Sequence, residues 1–154
     1  MPTMKNRGIT LIELIVVFVI IAIGAAFIAP NIGAWIPNYR LRSATRDIVS
    51  LMRTAQMKAV SSNRHYGVYF DPGGSIILQQ TTASDTSVDG NWSNEGEALI
   101  LPPGVTITGI SFPNRRAHFN SDSTSATGSM TLQNTKGNSK RITLTPSTGR
   151  TKIE

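Results

Sequence analysis

A chain of 154 residues has room for one modest domain beside any targeting segment. Cysteine is absent, which excludes a disulfide framework and a thiolate metal site, though not an extracytoplasmic location. The formal charge is +6, and residues 31–154 alone hold 13 Lys and Arg against 8 Asp and Glu. Such a balance favours anionic partners (nucleic acid, phospholipid headgroups, acidic protein faces) over cationic ones, with a merely solvated surface as the plainer reading.

The first predicted element is a long apolar helix. Leu14 to Ala29 carries no charged or strongly polar side chain, and Lys5 and Arg7 precede it. Ile9 to Ile28 spans about 30 Å as a helix, enough to cross the hydrocarbon core of a bilayer. The run is too long for a signal-peptide core, and no clean small-x-small cleavage site follows it. The expectation is a single span with a cytoplasmic N-terminus and everything after residue 30 on the far side. Glu13 sits inside this run. Burying an ionised carboxylate in hydrocarbon is costly, so such residues are rare and usually functional.

Pro30, Gly33 and Pro37 come next and predict a bend or local melting, because proline removes an intrahelical bond and clashes with the preceding turn. Leu41, Ala44, Ile48, Leu51, Ala55 and Ala59 then recur every three or four residues, predicting an amphipathic helix over 38–61. Arg42, Arg46 and Arg53 fall on its opposite face, which reads as a solvated stripe in preference to a binding site.

Beyond Asn63 the pattern becomes alternating. His65–Phe70 and Ser75–Gln80 read as strands joined by the turn Asp71-Pro72-Gly73-Gly74. Residues 81–97 are polar and read as a flexible loop. Trp92 is the exception within them, either capping the core or meeting a neighbouring subunit. Leu99–Leu101, Val105–Phe112, Ala117–Phe119, Ser129–Leu132, Lys140–Thr145 and Arg150–Ile153 are further strand candidates. Lys136-Gly137-Asn138 and Pro146-Ser147-Thr148-Gly149 supply turns between the last three. The fold class is α+β, with an antiparallel sheet on the C-terminal half of a long N-terminal helix.

Lys5-Asn6-Arg7-Gly8-Ile9-Thr10-Leu11-Ile12-Glu13-Leu14 resembles the prepilin leader of type IV pilins and type II secretion pseudopilins. The resemblance implies cleavage by the prepilin peptidase between Gly8 and Ile9 and N-methylation of Ile9. Ile9 departs from the commoner phenylalanine at that position. Pro30 lies where many members carry a helix-kinking proline. The implied parts are a leader over 1–8, a transmembrane helix half over 9–29, a periplasmic helix half over 30–61 and a globular β-rich domain over 62–154. Glu13 then gains a physical role. In a filament of packed helices it lies near a neighbour's N-terminal amine, and a misregistered subunit leaves a charge buried and unpaired.

Downstream, Ala55-Gln56-Met57-Lys58-Ala59-Val60, Asn63, Val68–Pro72 and the closing Thr148-Gly149-Arg150-Thr151-Lys152 resemble GspH/FimT-type minor pilins and pseudopilins. Gln56 and Lys58 replace the usual Arg and Glu. The family implies a subunit near a filament tip, with other pilins, the prepilin peptidase and inner-membrane lipid as partners and no cofactor. Some relatives bind DNA, and Arg150 and Lys152 match the basic motif associated with that activity. Lys136, Lys140, Arg141, Arg115 and Arg116 extend the candidate patch, which has almost no aromatic residue to stack bases. The alternative is structural, with Gly149 enabling a turn and Arg150 pairing locally. Enzymatic readings are weak. There is no thiol nucleophile, and His65 and His118 are far apart in sequence and lack metal-ligand spacing. The glycine-bearing turn at 71–74 lacks the Lys-Ser/Thr and the helix of a phosphate loop.

Overall fold

The computed structural model describes residues 9–81 and 91–154, without the side chains of 27–32 and 34. The chain divides into two compact units, Met1–Ile36 and Pro37–Glu154.

One helix, α1 (Leu11–Ser62), contributes to both units. Thr10 caps its start: the Glu13 N–H donates to Thr10 Oγ1 at 3.3 Å, and Leu14 N–H donates to Thr10 O. Of the bend or local melting expected at Pro30, Gly33 and Pro37, the melting does not occur, since helical backbone continues through all three. A proline removes only its own bond, and the bonds on either side hold the turn. In the first unit, residues 11 to 26 expose their side chains all round. Among the fully described residues no helix is long and apolar enough to cross a membrane. The end of the predicted span, residues 27 and 28, lies outside the described side chains.

In the second unit the amphipathic pattern produces the core. Leu41, Ala44, Ile48, Val49, Met52, Ala55 and Ala59 are buried, and the three alanines let backbone approach closely. Thr45 is buried among them, its hydroxyl satisfied by Leu41 O at 2.7 Å. Asn63 ends the helix in a left-handed conformation (φ 51°), with Arg64 N–H returning to Ala59 O.

The β residues form two antiparallel sheets, where the sequence reading had one. The first contains β1 (His65–Phe70), β2 (Ser75–Thr81), β3 (Trp92–Asn94), β4 (Leu99–Ile100) and β6 (Arg116–Phe119). Its order is β3-β2-β1-β6, with β4 also on β2. The second contains β5 (Val105–Ile110), β7 (Gly128–Asn134), β8 (Ser139–Thr145) and β9 (Arg150–Ile153), in the order β5-β7-β8-β9. Alternation sends Val68, Phe70, Ile76 and Phe119 inward from the first sheet, and Met130, Leu132, Ile142 and Leu144 inward from the second. They share one apolar cluster with α1.

The turn at 71–74 forms as expected, held by Asp71 Oδ2 accepting from Gly73 N–H at 2.7 Å. The loop reading of 81–97 needs correction at two ends. Thr81 closes β2, and Trp92–Asn94 is an edge strand paired with Gln79–Thr81. Residues 82–90 lie outside the described residues, while 91 and 95–97 are described and form no strand.

Candidate functional site

Three places carry the residues singled out by sequence. The first is the start of α1. Gly8 lies outside the described residues; Ile9 and Glu13 flank one shallow recess with Leu14 and Val17. Thr10-x-x-Glu13 is the spacing of a capping box, and it puts a carboxylate in the first turn, where the helix dipole favours negative charge. That local role was readable from sequence and was missed.

The second place is the basic set, which does not form one patch. Arg116 opens β6 of the first sheet, Arg115 ends the short 3-10 turn just before it, and both are held there. Arg115 Nε donates to Phe70 O at 2.7 Å, and Arg116 Nε to Gln79 Oε1 at 3.0 Å. The Arg116 guanidinium lies 4.4 Å from the Trp92 ring centroid and 5.6 Å from that of Tyr69. A side chain reaches across the sheet there because Gly67 lies beneath it; a Cβ at Gly67 would stand 2.7 Å from Arg116 Cδ. Trp92 therefore roofs the outer face of its own sheet and not the core, which differs from the core-capping role considered for it.

On the second sheet, Thr143 faces Lys152 and Thr145 faces Arg150, while Arg141 exchanges main-chain bonds with Glu154. Arg141, Arg150 and Lys152 thus stand on one outer face. Lys152 pairs with Glu154 at 2.9 Å, whereas Arg150 has no ion pair among the described residues, contrary to the local pairing considered for it. The Lys152 ammonium donating to Glu154 holds that carboxyl below its usual range. Lys136 is exposed in the turn between β7 and β8. Lys140 turns to the other side of β8, toward α1, where it lines a groove with Arg42 and Arg46. Arg42, Arg46 and Arg53 are all exposed, as a solvated stripe requires, and the first two border this groove.

Gly149 has its own structural reason. Its φ is 60°, and a Cβ there would meet Gln56 Nε2 at 2.4 Å and Ser123 O at 2.9 Å. Gln56 Nε2 in turn donates to Thr148 O at 3.0 Å, clamping the β8–β9 turn to α1. The other substituted position, Lys58, pairs with Glu95 just after β3. Their hydrogen bond raises the lysine and lowers the carboxyl from their ordinary ranges.

The third place is the histidine pair. Far apart in sequence, His65 and His118 are neighbours in space, with ring centroids 5.4 Å apart, because β1 and β6 are paired. His65 Nδ1 meets Asn120 Oδ1 at 3.1 Å, while His118 Nε2 is buried without a partner. Burial foremost, then the charges of His65 and Arg116, push His118 down to about 4, so it is neutral at neutral pH. No cluster of three metal-ligating side chains occurs among the described residues. The pair packs edge-on, His118 also against Trp92 at 5.5 Å, and both histidines act as strand residues.

Comparison with known proteins matches residues 3–29 to the prokaryotic N-terminal methylation motif and residues 44–148 to the family described as type II transport protein GspH. Among solved structures, the fold is similar to the minor pseudopilin EpsH from the type 2 secretion system of Vibrio cholerae. The TM-score is 0.60 at 13% identity, over 75% of this chain and 96% of that one. No curated protein is matched by sequence. With the family matching more than half of its length, and a helix and two antiparallel sheets arranged as in EpsH, the chain belongs to the GspH family of pilin-like and pseudopilin subunits, which are structural components and not enzymes.

Proposed function

We propose that this protein is a minor pseudopilin or minor pilin that enters a filament through its N-terminal helix, near the tip. The single observation that carries this reading is the order of two features in one chain. A methylation motif occupies residues 3–29 and a GspH domain residues 44–148. The prepilin peptidase removes residues 1–8, Ile9 becomes the methylated N-terminus, and residues 9–29 anchor the chain in the inner membrane with the β-rich domain periplasmic. Glu13 then sets register against a neighbouring subunit's amine, since an unpaired charge in low dielectric penalises any other register. Its place beside Ile9 on one recess supports that role. The EpsH likeness favours a type II secretion pseudopilus over a retractile pilus as the destination. Mass spectrometry of the mature protein tests the processing: N-methyl-Ile9 is expected, and an uncut chain overturns it. Glu13→Ala should leave cleavage and membrane insertion intact while reducing incorporation into filaments; normal incorporation removes the register role.

A second reading is display of a DNA-binding face. The shared orientation of Arg141, Arg150 and Lys152 favours it. Binding there is electrostatic and falls steeply with salt. Arg150→Ala with Lys152→Ala should weaken it; undiminished binding excludes the pair, and no binding at low salt ends the reading.

A further inference from the structure

The chain leaves the first sheet at β4 and enters the second at β5, and these two strands do not pair with each other. Both border one concavity of about 450 Å³, lined by Ile100 and Leu101 from one strand, Val105 and Ile107 from the other, and the turn at 71–74. The main chain of both strands is open there. Leu101 N–H donates to Gly74 O at 3.4 Å, which makes Ser75 and Ile100 the non-bonded pair between β2 and β4. Antiparallel bonding alternates from side to side, so the Ile100 N–H and C=O are directed away from β2. On β5, Val105 N–H donates to Pro102 O, and Asn134 opposite it donates to Asn138 O, so those two residues are likewise a non-bonded pair. Two residues on, the same alternation directs the Ile107 N–H and C=O away from β7. Among the described residues neither isoleucine has a main-chain partner on that side.

These two edges are also neutral. Ala98 to Pro113 carries no charge, and the Ile100 side chain is exposed. A free edge is ordinarily guarded by a lysine, a cover or a bulge, and the bulge on β5 comes only after Ile107. Asp71 is the one charged residue along the concavity among the described residues, and its carboxylate opposes an anion. Paired main-chain donors and acceptors select a polypeptide over a lipid. Neutral walls beside a single carboxylate disfavour nucleic acid and acidic segments.

We propose that a neutral, extended strand of another protein docks along the gap between β4 and β5, bonding to the Ile100 and Ile107 main chains and setting an apolar side chain into the concavity. This docking requires neither the anchoring nor the processing proposed above. The test uses the full chain in neutral-lipid nanodiscs, with empty nanodiscs as the blank, and a fluorescent capped peptide of alternating threonine and valine. Saturable binding that changes little with salt is expected, and the Ile100 and Ile107 amides should exchange more slowly with the peptide present. Methylating alternate peptide nitrogens, which removes main-chain donors and keeps the side chains, should reduce affinity tenfold or more. Ile100→Pro, which removes the outward N–H at an exposed position, should have a similar effect. Ile100→Lys keeps the backbone intact and charges the neutral edge; it is expected to lose a smaller part and serves where the proline variant lowers the melting temperature. Arg150→Gln/Lys152→Gln should bind as the unaltered protein does. Equal affinity for the methylated peptide, or unprotected Ile100 and Ile107 amides, overturns the proposal. A preference for poly-glutamate or duplex DNA that the Ile100 variants abolish overturns it as well. Protection of both amides that rises with protein concentration alone assigns the gap to a second copy of this chain and overturns the foreign strand.

Discussion

The outer faces of the two sheets carry the same kind of residue and use it in opposite ways. On the first sheet, Arg116 lies flat over Gly67, beneath the Trp92 ring and bonded to Gln79. Gln79 passes the contact on to Asn94 at 2.9 Å, so the network crosses from β6 to β3. On the second sheet, Arg141 and Arg150 stand exposed on a face of threonines and serines, with no aromatic ring against them among the described residues. An arginine becomes part of the structure when its neighbours leave a slot and supply a ring; otherwise it stays a surface charge. One glycine and one tryptophan make that difference here.

That contrast can be broken by measurement. Trp92→Ala removes the roof and is expected to cost about 2–3 kcal/mol, less than a fully buried tryptophan because the residue is half-exposed. Chemical denaturation would register it as a lower midpoint. Gly67→Val puts a side chain where Arg116 runs and should cost about 1–3 kcal/mol through displacement of the guanidinium. An unchanged melting temperature would mean that the slot is not tight.

The same face predicts a pH effect. His118 has its folded-state value lowered from 6.5 to about 4, so between these values the unfolded chain binds more protons than the folded one. Stability from this source is complete above about pH 6.5 and is lost as pH falls toward 4, a change of the order of 1–2 kcal/mol. His118→Phe should flatten the pH dependence of the melting temperature; an equally steep profile would assign the effect to other groups. The smallest effect belongs to the second sheet. Arg150→Ala is expected within about 0.5 kcal/mol of the parent, as for an exposed residue without a specific partner. A loss matching that of Trp92→Ala would erase the difference between the two faces.

Much of the fold was legible because its signals are local. The 3.6-residue period of Leu41 to Ala59 and the turn at Asp71–Gly74 both concern neighbours a few residues apart, and both elements formed nearly where expected. The strand β3 was not legible. Three residues, two of them polar and exposed, carry too little alternation to be told from a loop, and only pairing with Gln79–Thr81 makes them a strand. Gly67 was a usable signal, since a glycine inside a strand often marks a close approach of another group. The basic residues looked like one patch because they are close in sequence. Lys140 and Arg141 are adjacent and face opposite ways, whereas Lys140 and Arg42 lie far apart in sequence and line one groove.

The sequence by itself determined the apolar N-terminal run with its single carboxylate, the methylation motif, the amphipathic helix and the closing hairpins. The methylation motif is carried by its resemblance to a known leader, and the others depend on spacing along the chain, through helical period, strand alternation or the dihedral freedom of a turn residue. Only the tertiary structure decided that the strands divide into two sheets, that His65 lies against His118, and that Arg116 is held while Arg150 is exposed. It also decided that α1 and β8 face each other across a basic groove. Those outcomes rest on which strands pair and in what register, which is set by the fit of many distant side chains into one core and leaves no mark on any short stretch of sequence.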